Sequence, residues 1–137
     1  MRKSRYALRT WEEVIQTPVV TLDSLVNRYG LPAFIKIDTE GYELEVLRGL
    51  TAPVPQLSFE FSKEFPEITS AALQHLEALG RVEFNYSTPG KFALALPTWV
   101  DAKGLKRVIS QKWSLYAGGD IYCRMQSGGI KWNQNSG

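Results

Sequence analysis

Asp38, Glu40 and Glu60 are the side chains whose type and spacing first suggest a reaction. The first two lie in the run I-K-I-D-T-E-G at 35–41, where an apolar stretch gives way at once to two carboxylates and a glycine. A carboxylate beside a bound hydroxyl can take its proton as charge develops, and a second can orient the same group. Gly41 has no Cβ to hold a ligand away from the backbone. Glu60 closes the next apolar run, L-S-F-E-F at 57–61, which places it at the end of a neighbouring strand.

The elements that must position these groups follow from the pattern. Phe34, Ile35 and Ile37 form a short apolar run suited to a strand covered on both faces, which argues for a parallel sheet. Leu44, Val46, Leu47 and Leu50 then carry helical spacing, and Gly49 is placed to stop the helix in a left-handed turn. Residues 38–41 therefore fill the turn at the carboxyl end of a strand, outside which open α/β sheets bind their ligands. Lys36 interrupts the strand and shares a face with Asp38, so it should snorkel along the sheet edge or pair with Glu60. Glu43 and Glu45 should face solvent, with Glu43 near enough to the first turn to be a minor site candidate. His75 reads as an exposed or satisfied helix residue, and the four tryptophans, Trp11, Trp99, Trp113 and Trp132, as core or docking residues.

Further out, VVTL at 19–22 is strand-like and Asp23 to Tyr29 is a short helix, with Thr21 or Asp23 as its cap and Gly30 at its end. Thr69 and Ser70 can cap a helix with Leu73, Leu76 and Leu79 on one face and Gly80 after it. VEFNY and KFALAL flank the turn S-T-P-G, which predicts a hairpin or a strand followed by a short edge strand. A helix over Val100 to Ile109 and a last strand over 119–125 complete the series. The division is a lead at 1–18, one domain at 19–125 and a polar, disordered tail at 126–137.

Composition narrows the function classes. At 137 residues and 15.5 kDa the chain suits one domain, and its 44% hydrophobic and 22% charged residues are ordinary for a globular protein. A net charge of +2 is close to neutral and gives no case for nucleic acid or an anionic membrane, whose binders concentrate basic residues on a face or run. No stretch approaches a membrane span, and the basic opening M-R-K-S-R lacks the apolar core of a signal peptide, so the expected address is the cytoplasm. Cys123 and His75 are each the sole residue of their type, which excludes an internal disulfide and the usual His/Cys metal sites.

The strand-turn-helix K-I-D-x-E-G-x-E-x-x-V-L-x-G, Lys36 through Gly49, resembles the signature of the FkbM family of S-adenosylmethionine-dependent methyltransferases. VVTLDSL at 19–25, LSFEF at 57–61 and GDIYCRM at 119–125 are similar to flanking segments of the family, extending the resemblance over roughly 17–125. The resemblance implies a class I, Rossmann-like sheet, mainly parallel with an antiparallel closing strand. It implies S-adenosylmethionine as cofactor and a sugar or other small-molecule hydroxyl as methyl acceptor. Asp38 and Glu60 are then the candidate catalytic carboxylates, Asp38 and Gly41 the cofactor side, and Glu40 and Glu60 the acceptor side.

The chain departs from the family in containing no G-x-G, and its paired glycines, Gly118–Gly119 and Gly128–Gly129, fall near the other end. It therefore resembles the C-terminal half of the domain, without the glycine-rich turn and ribose-binding acid that hold the cofactor. The expectation is that these residues alone do not bind it, and that a second copy or a separately made N-terminal half covers the truncated sheet. The alternative function is a non-catalytic remnant or interaction module that pairs with another chain through an open strand edge. A Mg²⁺-dependent phosphotransferase ranks last, because D-x-E stands without further acids or a phosphate-binding motif.

Overall fold

The computed structural model describes residues 14–112, 115 and 117–126. Four helices and four strands follow one another as α1 (Leu22–Tyr29), β1 (Ile35–Ile37), α2 (Glu43–Arg48), β2 (Gln56–Ser62), α3 (Pro66–Leu79), β3 (Val82–Ser87), α4 (Ala102–Gln111) and β4 (Gly118–Met125).

Local chemistry sets most of the boundaries. Thr21 caps α1, its hydroxyl accepting the Ser24 N–H at 3.2 Å, and Gly30 ends the helix at φ 92 while its N–H returns to the Val26 carbonyl. The strand-like VVTL does not form a strand: Val19 and Val20 are exposed, and the cap draws Leu22 into the helix. Gly49 does follow α2, yet with φ −78 rather than in a left-handed turn, and its carbonyl accepts the Asp23 N–H at 2.9 Å. α3 starts at Pro66, ahead of the expected Thr69 or Ser70, because proline tolerates the first helical position, where its missing N–H costs nothing.

The strands form one sheet in the order β1-β2-β4-β3. β1 and β2 are parallel, while β4 is antiparallel to both β2 and β3, so β1, β2 and β3 run one way and β4 opposes them. The adjacency of the 33–38 and 57–61 strands and the reversed closing strand are as the sequence reading predicts. The sequence reading also expects a mainly parallel sheet with both of those strands central, and that is not what forms. β4 inserts between β2 and β3, converting a potential parallel pair into two antiparallel ones, and β1 lies at an edge among the described residues. The sheet is a mixed α/β one. β4 can enter there because it begins with two glycines: a Cβ on Gly118 would meet the Phe61 carbonyl at 2.3 Å, and one on Gly119 the Ser87 carbonyl at 2.1 Å.

The KFALAL run does not become a strand either. After a turn at Thr88–Lys91 the chain returns beside β3 through a hydrogen bond from the Ala95 N–H to Tyr86 and a single Phe84–Val100 bridge. Asn85 replaces the missing ladder, its side chain donating to the Leu96 carbonyl and accepting the Leu96 N–H at 3.0 and 3.1 Å. Leu57, Phe59, Phe61, Phe84, Tyr86, Ile121 and Cys123 alternate onto one side of the sheet. They form one buried cluster with Leu44 and Leu47 of α2, Leu73 and Leu76 of α3, and Leu105 and Ile109 of α4.

Candidate functional site

The other side of the sheet carries the polar groups, and the register gives their layout. Lys36 faces Ser58, Ser58 faces Tyr122 and Tyr122 faces Asn85, so these four form one row across all four strands. In the next row Glu60 faces Asp120 and Asp120 faces Ser87. Side chains directly across a ladder share a face. Asp38, two residues beyond Lys36, continues on that face at the carboxyl end of β1, and its charge reaches the Lys36 ammonium. Asp38, just past the end of β1, and Glu60, two residues before the end of β2, thus belong to one side of the sheet on adjacent parallel strands. Asp38, Glu40 and Gly41 are exposed and Glu60 is half-buried.

Lys36, expected either to run along the sheet edge or to pair with Glu60, pairs with Asp120. The insertion of β4 is the reason: it brings Asp120 beside Glu60, and the small Ser58 leaves room for the lysine to reach across β2. Burial pulls the Lys36 ammonium down, but the hydrogen bond and charge of Asp120, with the charge of Asp38, outweigh it and hold it above its ordinary value. Ser58 is the one buried side chain on this face whose hydroxyl has no hydrogen-bond partner among the described residues. Tyr122 lies beside it and meets the ring of Phe34 at a centroid distance of 6.4 Å.

The turn after β1 is held from within. Glu43, expected at the solvent, is 6% exposed. Its carboxylate accepts the Thr39 N–H at 3.1 Å, the Gly41 N–H at 3.1 and 3.2 Å, and the Thr39 hydroxyl at 3.4 Å. Within this loop Glu40 takes φ 54 and Gly41 φ 107. A Cβ on Gly41 would meet nothing within 4 Å, so the space beside it is open and its backbone angle is what calls for glycine.

The remaining reactive side chains are accounted for structurally. His75 bonds the Leu50 carbonyl through Nε2 at 2.9 Å. Cys123 is buried on the apolar side, and burial pushes its thiol up to about 12, which removes it as a nucleophile near neutral pH. Arg124 pairs with Glu83 at 2.8 Å and stacks on Trp99 at 4.6 Å from the ring centre. The other three tryptophans, the opening of the 1–18 lead and most of the 126–137 tail lie outside the described residues. Among the described residues no group of three or more His, Cys, Asp or Glu side chains is placed to hold a metal ion, and no helix is long and apolar enough to cross a membrane.

Sequence reasoning missed Asp120, Ser58, Tyr122 and the inward role of Glu43. A signal existed only for the last: an acid two residues after a glycine, at the first position of a helix, is placed to reach back to the amides of the preceding turn.

A mixed α/β domain with carboxylates gathered at the carboxyl end of a parallel strand pair has its candidate site where α/β proteins bind ligands. The family model for the methyltransferase FkbM domain matches residues 1–86, more than half of the chain, and the chain belongs to that family. The match takes in the lead and ends within β3, so it starts earlier and stops earlier than the 17–125 expected, and β4 with Asp120 lies beyond it. It does not single out a C-terminal half. No curated protein and no solved structure gives a match.

Proposed function

We propose that the chain takes part in methyl transfer from S-adenosylmethionine to a hydroxyl of a sugar or another small molecule, on a Rossmann-like sheet. The observation that carries this reading is the placement of Asp38 and Glu60 on one side of adjacent, parallel strands in a chain of the FkbM methyltransferase family. When bound, the cofactor supplies a methyl group activated by its sulfonium. The protein's work is then alignment and proton removal. Asp38 accepts the proton of the acceptor hydroxyl, and Glu60 and Glu40 orient that hydroxyl.

The residues present fit part of the cofactor. Open space borders Gly41, and Asp38 stands beside it as a hydrogen-bond acceptor for hydroxyl or amine groups. The sequence offers no G-x-G turn for the methionine end, so in this proposal other polypeptide supplies that turn. The test is transfer of a labelled methyl group to a panel of sugar and small-molecule hydroxyls, with the chain alone and with a glycine-rich methyltransferase half added. Turnover should need the added half and fall at least about a hundredfold in Asp38→Asn, within the range a positioned base contributes. Full turnover by Asp38→Asn would overturn the assignment of the base, and turnover by the chain alone would overturn the need for a second half.

One observation favours the alternative of a non-catalytic pairing module. Among the described residues β1 pairs with a strand on one side only. Stable association with another chain, together with no methyl transfer under any combination, would favour that reading.

A further inference from the structure

The turn between β1 and α2 has the backbone of an anion cradle, yet its amides are already taken. In a turn where Glu40 takes φ 54 and Gly41 φ 107, the Thr39 and Gly41 N–H groups point toward a common acceptor, as backbone amides do where turns bind anions. Here that point is filled by the carboxylate of Glu43, which accepts both the Thr39 and the Gly41 N–H. The carboxylate belongs to the next helix and is almost fully buried, so it can be displaced only by breaking several bonds at once.

We infer that Glu43 is the positioning residue of this site: it serves as the built-in anion of the turn and fixes Glu40 and Gly41 in their left-handed conformations. It also decides what the turn presents outward. With the amides turned inward, the exposed residues of the turn are Asp38, Thr39, Glu40, Gly41 and Tyr42, whose charges are the carboxylates of Asp38 and Glu40. A surface so charged favours hydroxyl or cationic groups and repels phosphate. The statement about ligands rests on the methyl-transfer reading above. The statement about the turn stands on the hydrogen bonds alone.

Amide exchange and NMR titration of the full isotope-labelled chain test both statements, using Glu43→Ala and Glu43→Gln. The Thr39 and Gly41 amides should exchange slowly in the parent protein and at least about tenfold faster in Glu43→Ala. Glu43→Gln, which keeps an acceptor oxygen, should restore much of that protection. The Leu57 and Phe59 amides in β2 report whether the fold is intact. Inorganic phosphate should leave the Thr39 and Gly41 resonances of the parent unmoved and shift them in Glu43→Ala. In the methyl-transfer assay Glu43→Ala should lose most of the turnover and Glu43→Gln less.

Equal exchange in the parent and Glu43→Ala would overturn the inference. So would phosphate shifts at these amides in the parent, or a Glu43→Gln protein as unprotected as Glu43→Ala with β2 intact. If Glu43→Ala does not fold, parent exchange, the phosphate titration and Glu43→Gln still decide. Absence of methyl transfer by the parent in every combination would defeat the proposed function, while the exchange data would decide the role of Glu43 independently.

Discussion

On one side of the sheet Leu57, Phe59, Phe84, Tyr86 and Ile121 are at most 1% exposed, packed against leucines from α2, α3 and α4. On the other side the residues that alternate with them are Lys36, Ser58, Glu60, Asn85, Ser87, Asp120 and Tyr122, of which Ser58, Asn85 and Ser87 are buried and the rest exposed or half-buried. The backbone ladder is common to both, so the difference lies in what each side is used for. The apolar side gains stability from every methylene it removes from water. The polar side holds charges near one another at strand ends and gains little net stability from doing so. It persists because the apolar side is sufficient to hold the strands in register.

The largest effect should come from the apolar side. Phe59→Ala removes an aromatic ring that is 1% exposed, and should cost about 3–5 kcal/mol in a denaturant titration. A loss below about 1 kcal/mol would mean that this side is not the close-packed core described, and the contrast between the faces would fail.

The strand-end turn comes next. Gly41→Ala places a Cβ in open space, so no clash opposes it, but the side chain must accept φ 107. The expected cost is about 1–3 kcal/mol from backbone strain alone. If the variant is as stable as the parent, the turn has relaxed to another conformation. The Thr39 and Gly41 amide resonances would then move, separating strain from simple tolerance.

These two positions also show how far the sequence could be read. Ile35, Ile37, Phe59 and Phe61 alternate as strands do, and the break from Ile37 into Asp-Thr-Glu-Gly marks a strand end wherever it occurs, so β1, β2, α2 and the placement of Asp38 were legible locally. Lys36 was not. Its partner lies 84 positions away, and only the insertion of β4 beside β2 brings Asp120 within reach. No local pattern encodes which strand will pair with which. The failure at KFALAL has the same origin: its β-forming residues had the propensity for a strand, but Asn85 and Tyr86 accept and donate the bonds that a full ladder would have used. Glu43 was misjudged because an acid in a first helical turn also gains from the helix dipole at the surface, and its place two residues after Gly41 allows that setting as well as the reach back into the turn.

Ser58→Ala should have an effect of the opposite sign. The Ser58 hydroxyl is shielded from water and has no hydrogen-bond partner among the described residues, so the parent already bears the cost of desolvating it. Replacing it by a methyl group should stabilise the protein, by up to about 1 kcal/mol in thermal or denaturant unfolding. A destabilisation of that size would show that the hydroxyl is satisfied in solution, and would place a bound water or ligand group on the polar side at this row.

The smallest effect on stability belongs to the ion pair that crosses the polar side. Lys36 and Asp120 keep 46% and 32% of their side-chain surface in water, so their attraction is screened and the pair should contribute only about 0–1 kcal/mol. A double-mutant cycle of Lys36→Met and Asp120→Asn measures it without the cost of leaving one charge unpaired. The pH dependence has a definite sign. The folded-state value of Lys36 lies above the ordinary 10.5, so the folded protein retains that proton better than the unfolded chain does. The coupling is therefore fully present below about pH 10, the ordinary lysine range, and declines as pH rises through the folded value above it. Molar salt should reduce it at any pH. A coupling of several kcal/mol that survives molar salt would show that the pair is desolvated in solution. The polar side would then be covered by another element or chain and contribute to stability as the apolar side does.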